Sequence, residues 1–424
     1  MRAAELKPSG VTVSDGTRTM RSPELIALLA SVMSIVALAV DIILPAFGDI
    51  RADFGLPPDS TAAAGLITTF LLGLATSQLL FGLLADRFGR KPILFAGIGI
   101  YALGALASAF APSLSWLLAA RFVWGAGAAA PRILTLSILR DTYSGEKMAR
   151  AMSFVMAIFI LIPVVAPSLG AVLTEWISWR GAIGFSVVVA LLVGIWALRL
   201  PETLAPANRL DMTWKAVLRA GRIVLTNRLT MGYTLSFTAL FGAFASYLAS
   251  SELIFTDVFD LGDRFPVIFG GLAIGMGVAV LVNGNLVERV GLRRLINRVM
   301  VGYLVAAGAL LVLSLATDGV PGFWPFAVVL AVVLSMHALL IPNMNSAAMV
   351  PMASVAGTAS AVIGTLSIAG GALIGLLIDR AYDGTVLPLS ASFLVLGVVA
   401  WGLSRWAETR RVAMPVEAAP QVAD

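Results

Sequence analysis

The chain has 424 residues, of which 59% are hydrophobic and 12% charged, with a mean hydropathy of +0.94; soluble domains run at roughly 45–50% apolar and about 25% charged, so most of this chain belongs in lipid. A net charge of +5 would point to nucleic acid in a soluble protein, but here the bases fall in loops between apolar runs, which excludes a nucleic-acid face and makes them topogenic. No cysteine and a single histidine, His337, exclude disulfides, thiol catalysis and a multi-histidine metal site, and no cofactor is expected.

Residues 1–22 are polar and basic, lack the pattern of a cleaved signal, and are expected to form a loosely ordered cytoplasmic tail. About twelve runs then offer the roughly 20 apolar residues that a spanning helix needs. They lie near 24–46, 61–85, 92–111, 116–139, 149–174, 180–200, 229–253, 265–287, 296–316, 321–345, 354–379 and 386–407. The longest polar interruption, 201–228, holds the amphipathic piece Asp211–Arg222 and separates a bundle over 23–200 from a second over 229–408, with 409–424 as a tail. The bases from Arg2 to Arg411 concentrate on one side of this arrangement, while only Arg51, Arg180, Arg264 and Arg380 fall opposite. The positive-inside rule then places both termini in the cytoplasm. An arginine-heavy basic content suits a GC-rich bacterium, so the expected location is a bacterial cytoplasmic membrane.

Gly82-Leu-Leu-Ala-Asp86-Arg87-Phe-Gly89-Arg90-Lys91 is a tight charged turn between the second and third runs. Its spacing returns in Gly284-x-x-x-Glu288-Arg289-x-Gly291-x-Arg293-Arg294, after the second run of the second bundle. Duplication explains a copy at the equivalent loop, and two related halves around a midplane cavity is a transporter arrangement. The fold class is all-α integral membrane, with twelve transmembrane helices in two pseudo-symmetric six-helix bundles.

Three stretches carry a family resemblance: the charged turn, Arg121-Phe-Val-Trp-Gly125-Ala-Gly127 in the fourth run, and Pro163-Val-Val-Ala166-Pro167-Ser-Leu-Gly170-Ala171 in the fifth. With Leu200-Pro201-Glu202-Thr203, they resemble the motifs of the twelve-helix drug:proton antiporters of the major facilitator superfamily. Val40-Asp41-Ile-Ile-Leu-Pro45, Leu139-Arg140-Asp141-Thr-Tyr143, Trp179-Arg180 and Ala356-Gly357-Thr358-Ala359-Ser360 resemble its bicyclomycin/chloramphenicol-resistance (Bcr/CflA) branch. The resemblance implies a monomer that uses a proton gradient, with an acid in the first helix and a proton-relay arginine in the fourth. It also implies an antiporter motif in the fifth. Ala166 and Ala171 stand where that motif usually has glycine, and Phe122-Val-Trp124 where a Gln is more usual, so the motif is weakened and one polar contact of the fourth helix is in question.

Asp41 is read as the only acid deep inside a helix, roughly 25 Å along a core of about 30 Å. An acid costs about 2.5–3.5 kcal/mol at a helix centre and less near the edges, so Asp41 is read as a proton carrier, the alternative being an acid that snorkels outward because Pro45 ends the helix. Arg121, about 8 Å into its helix, lies at similar depth and either faces Asp41 or ties the helix to neighbouring carbonyls. Arg132, after Pro131, either lines the inward cavity or reaches the cytoplasmic headgroups. Pro163, Pro167 and Gly170 are expected to kink the fifth helix and press it onto its counterpart in the other half. Tyr233, Phe237, Phe241, Phe244 and Leu248, beside Tyr247, form a helical stripe: either ordinary packing or an apolar cavity wall. His337 is either satisfied by a carbonyl or a substrate contact, and Asn343 and Asn345 either line the cavity or cap a helix end. The turn with Gly82, Asp86, Arg87, Gly89 and Arg90 is expected to latch the halves, Asp86 anchoring a helix end of the second half and Arg87 and Arg90 meeting nearby acids.

The function these readings favour is a proton-coupled exporter of neutral or zwitterionic apolar compounds, chloramphenicol-like drugs foremost, whose partners are bilayer, protons and small-molecule substrate. A narrow-specificity metabolite transporter of the same fold is the alternative. A membrane enzyme or sensor lacks any nucleophile and base pair, metal cluster or phosphate loop to support it.

Overall fold

The computed structural model describes residues 12–14, 19–209 and 214–409. The remainder of both predicted tails, with Asp211 and its neighbours in the central loop, lies outside the described residues. Two short antiparallel strands, β1 (Thr12–Ser14) and β2 (Thr19–Arg21), pair Thr12 with Arg21, and Met20 is buried. This hairpin was not expected of a loosely ordered tail.

Fourteen α-helices follow among the described residues: α1 (Ser22–Asp41), α2 (Phe47–Asp53), α3 (Gly65–Phe88), α4 (Arg90–Ala109), α5 (Leu114–Thr142), α6 (Gly145–Trp176) and α7 (Trp179–Ala197) in the first half. After α8 (Trp214–Thr226) come α9 (Arg228–Leu253), α10 (Phe265–Val290), α11 (Leu292–Leu315), α12 (Phe323–Met349), α13 (Ala356–Asp379) and α14 (Leu387–Glu408). All but α8 belong to twelve spans long and apolar enough to cross a membrane, α1 and α2 sharing the first, Ser22–Asp53, at the positions read from the sequence. Two local signals set the boundaries. Ser113, Ser178 and Asn227 accept hydrogen bonds from backbone N–H groups of the first turns of α5, α7 and α9. Gly89 and Gly291, with φ of 108° and 84°, each make the whole connection between two spans, a conformation that only glycine adopts without strain.

Those two glycines are the equivalent joints of the two halves, which confirms the repeat in three dimensions. The face that carries them also carries Arg90, Lys91, Arg140, Arg293 and Arg294; it is called the basic face below. Across the halves α3 packs on α13 and α6 on α10. At mid-depth Gln78 donates to Thr365 Oγ1 at 3.3 Å, and Thr365 donates to the Ala75 carbonyl at 2.9 Å. At the face opposite the basic one, Arg51 of α2 meets Glu252 of α9. The halves are therefore joined at mid-depth and at the opposite face, and the space between them opens towards the basic face.

Candidate functional site

Asp41 is the last residue of α1. Pro45 in the following 3-10 turn, Leu44–Ala46, prevents the helix from continuing. The side chain does not snorkel: Asp41 is 4% exposed and has no hydrogen-bond or ion-pair partner among the described residues. Tyr247, from α9 in the other half, lies within its electrostatic reach. Behind it Gly170 of α6 packs directly on the Ile42 carbonyl, leaving no room for a Cβ. Gly170 of the fifth-helix motif thus supports the turn that holds Asp41, and Val164 of the same motif packs against its counterpart in the other half. It is Ile160 and Val164 of α6 that meet the counterpart helix α10, at Gly277 and Gly270.

Arg121 is fully buried, and it is not paired with Asp41. Its Nε donates to the Leu66 carbonyl at 3.2 Å and its Nη1 to the Ala39 carbonyl at 2.8 Å. The guanidinium lies over Phe70 at 4.7 Å and over Trp124 at 4.8 Å. Nη2 has no partner. The direct acid–arginine pair is therefore replaced by carbonyls and aromatic faces, which hold a guanidinium without a countercharge. Trp124, where the family more often has a polar contact, is one wall of this cage. Tyr101, edge-on to Trp124, donates to the Ile35 carbonyl at 2.7 Å and fastens the cage to α1.

The stripe on α9 is a wall between helices. Phe237, Phe241, Phe244 and Tyr247 follow one another with ring centroids 6.1, 6.3 and 6.1 Å apart. Tyr247 stacks on Phe269 at 5.7 Å, and Phe244 stacks on His337 of α12 at 5.3 Å. Phe237 and Tyr247 are buried, while Phe241 and Phe244 remain half-buried. His337 has no carbonyl partner, contrary to the simpler expectation: both ring nitrogens are buried without a hydrogen bond. It packs instead against the rings of Phe244 and Tyr303. Asn343 is not a cap either; its Nδ2 donates to Asn283 of α10 at 2.7 Å and to the Leu339 carbonyl at 2.8 Å.

Three further acids are buried in the spans, Glu252, Asp379 and Glu408, so Asp41 is not the only one. Glu252 receives Arg51 in a two-point pair, Nη1 to Oε2 and Nη2 to Oε1, each 3.0 Å and buried. Asp379, the last residue of α13, accepts from Ser246 at 2.7 Å, and its second oxygen is buried without a partner. The sequence held a signal for the first, Ser250-Ser251-Glu252 ending an apolar run. Arg51 counted there only as a topogenic charge, because nothing in one sequence pairs residues 201 positions apart. Among the described residues no group of three His, Cys, Asp or Glu could hold a metal ion.

The basic-face turn does not anchor the second half in this state. Asp86 and Asp141 both receive Arg90, the latter at 2.9 Å. Glu202 caps α4, accepting from the N–H groups of Arg90 at 2.9 Å and Lys91 at 3.1 Å. Arg87 is exposed over the Phe88 ring rather than paired with an acid. The second half mirrors this, Glu408 accepting from both Arg293 and Tyr233. With the halves parted at this face, the nearest acceptors and donors are those of the same bundle.

A twelve-span protein of two related bundles, with a buried carboxyl and an aromatic wall meeting between them, belongs to the transporters that work by alternating exposure of a central site. The Major Facilitator Superfamily model matches residues 29–375, and the chain is a member of that family. It is similar to a bicyclomycin resistance protein homolog of Haemophilus influenzae, 28% identical with 85% of this chain and 91% of the relative covered. A chloramphenicol resistance protein of Pseudomonas aeruginosa is 28% identical, with 89% of each covered. Multidrug resistance protein D of Escherichia coli is 26% identical over 91% of this chain and 96% of its own. These relatives agree with the Bcr/CflA resemblance. Among solved structures, a D-xylose–proton symporter shares the fold with a TM-score of 0.70 at 14% identity, covering 90% of this chain and 98% of its own. The human organic anion transporter MFSD10 does so with 0.67 at 17%, covering 91% and 99%. The protein is a multi-pass membrane transporter of a family related to drug-resistance proteins, not an enzyme.

Proposed function

We propose that the protein is a proton-driven exporter of small neutral or zwitterionic apolar compounds, chloramphenicol-like molecules foremost, in a bacterial inner membrane with both termini in the cytoplasm. The observation that carries this is Asp41: a buried carboxyl without a countercharge, at the seam of the halves and within reach of Tyr247 on the aromatic wall. A charge left so is costly in the membrane interior, so gain or loss of one proton changes which arrangement of the seam is favoured.

In this reading the described state is open to the cytoplasm. Substrate enters from the basic face and lies against Phe237, Phe241 and Phe244. Arg51 and Glu252 close the outer side. When they part, Asp41 becomes accessible from the periplasm, substrate leaves, and a proton takes its place and resets the cycle inward. Tightly caged Arg121 holds α1, α3 and α5 together so that they move as one body. A narrow-specificity metabolite transporter is the second reading, favoured by Ala166 and Ala171 in place of the family's usual glycines.

The test is uptake of radiolabelled chloramphenicol into everted vesicles energised by a proton gradient. Asp41→Asn is expected to reduce gradient-driven uptake at least about tenfold, because a carboxamide cannot exchange the proton. Uptake that ignores collapse of the gradient sinks proton coupling. Absence of uptake for any drug, with a growth defect on one nutrient in a deletion strain, moves the assignment to the second reading.

A further inference from the structure

Arg121 and Arg132 stand eleven residues apart on α5, three turns of helix with about 20° left over, so their side chains leave in nearly the same direction about 16 Å apart along the axis. That direction lies between α1 and α3, since Arg121 bonds the Ala39 carbonyl of the one and the Leu66 carbonyl of the other. Nearer the basic face, Thr135 still touches the Leu29 carbonyl of α1 at 3.4 Å. α5 meets α4 on a different side, through Gly127 at Tyr101 and Pro131 at Gly97. Its outward apolar residues, Phe122 and Val123, are 40% and 44% exposed and lie on the remaining arc. Arg132 therefore faces the space between the halves and not the lipid.

There its situation is unlike that of Arg121. Arg132 is half-buried, and no hydrogen bond, ion pair or ring contact engages it among the described residues. No acid among the described residues lies within its electrostatic reach. A permanent cation held partly out of water, without a countercharge and on the open side of the space, is a place for an anion. The planar fork of its donors matches a carboxylate.

We propose that Arg132 is a substrate subsite that takes the carboxylate end of an amphipathic cargo arriving from the cytoplasm, with the apolar body of the cargo on Phe237, Phe241 and Phe244. This rests on the export reading and names, within its zwitterionic cargo, the compounds that carry a carboxylate at the trailing end as those that use this subsite. A lipid headgroup phosphate shares the chemistry, but headgroups lie beyond the outward arc of α5 whereas Arg132 faces inward.

The test titrates full-length protein in phosphatidylcholine nanodiscs with 1-naphthylacetate and with its methyl ester, read by quenching of tryptophan fluorescence. The wild type is expected to bind the carboxylate about tenfold or more tighter than the ester, the gain of a charge-assisted over a neutral contact. Arg132→Met should erase that preference while leaving ester affinity within about twofold; Arg132→Lys, which keeps the charge but not the fork, should retain part of it. If Arg132→Met does not fold, the intermediate preference of Arg132→Lys carries the test. Equal or absent binding of the two probes in the wild type, or a full preference surviving in both variants, overturns the subsite. So does loss of the preference in phosphatidylglycerol nanodiscs, which would assign Arg132 to a headgroup. Gradient-driven export of the ester, measured alongside, reports on the transport reading separately: ester export without a carboxylate preference removes the subsite alone.

Discussion

Two arginines on one helix, pointing the same way, meet opposite fates. Arg121 is wrapped by two carbonyls and two aromatic rings where the halves close. Arg132, three turns nearer the basic face, is half-buried with nothing on it. The residue type and the helix face are the same, so the difference comes from depth: at Arg121 carbonyls of α1 and α3 of its own half supply acceptors, and at Arg132, among the described residues, none does.

Three experiments would break or sharpen this contrast. The largest effect should come from the bolt at the far face. Glu252→Gln leaves Arg51 buried without its acid, a cost of about 3–5 kcal/mol for a broken buried pair, borne by the closed state. Because the chain has no cysteine, a single Ala46→Cys, at a fully buried position in the 3-10 turn just before the helix that carries Arg51, reports opening. Its labelling by an impermeant maleimide from the outside should rise about a hundredfold or more in Glu252→Gln. An unchanged rate would mean that the pair does not hold the outer side shut, and that the cage at Arg121 owes nothing to it.

Next in size, Arg121→Met removes two hydrogen bonds and two cation–π contacts, together about 2–4 kcal/mol, and should lower the unfolding temperature in detergent by several degrees. Arg132→Met in the same assay should shift it little, within the roughly 0.5 kcal/mol of a residue without partners. Equal losses at the two positions would erase the distinction between structural and functional arginine. Smallest in stability is Asp86→Asn, which weakens a partly exposed pair with Arg90 worth about 0–1 kcal/mol. It should slow transport while leaving ester binding intact, since the turn is far from the aromatic wall. Loss of binding instead would place the turn in the site.

Much of the architecture was legible before the structure. Apolar runs of spanning length, separated by short polar turns, locate twelve helices, because lipid forces every backbone polar group into a helix of predictable length. The copy of Gly82–Asp86–Gly89 at Gly284–Glu288–Gly291 exposed the duplication, and the positive φ at Gly89 and Gly291 explains why glycine recurs there. Asp41 stood out because an acid in an apolar run is conspicuous by itself. The partners of these residues were not legible. Asp86 took Arg90 of its own turn, Arg121 took carbonyls instead of Asp41, and His337 took an aromatic ring instead of a carbonyl. Glu252 and Asp379 went unnoticed as buried acids because they end their runs, where a charge ordinarily meets water.

By itself, then, the sequence determined which segments lie in the membrane, how many there are, that they form two related halves, and which residue types are out of place in lipid. Those properties are local, since each follows from the free energy of a side chain or a backbone group against hydrocarbon. Only the tertiary structure decided that Arg51 closes on Glu252 across the halves, that Gly170 backs the turn after Asp41, and that Arg121 is sealed while Arg132 is open. Such pairings depend on how two bundles meet and at which face they part, and a helix period records the direction of a side chain without recording what stands opposite it.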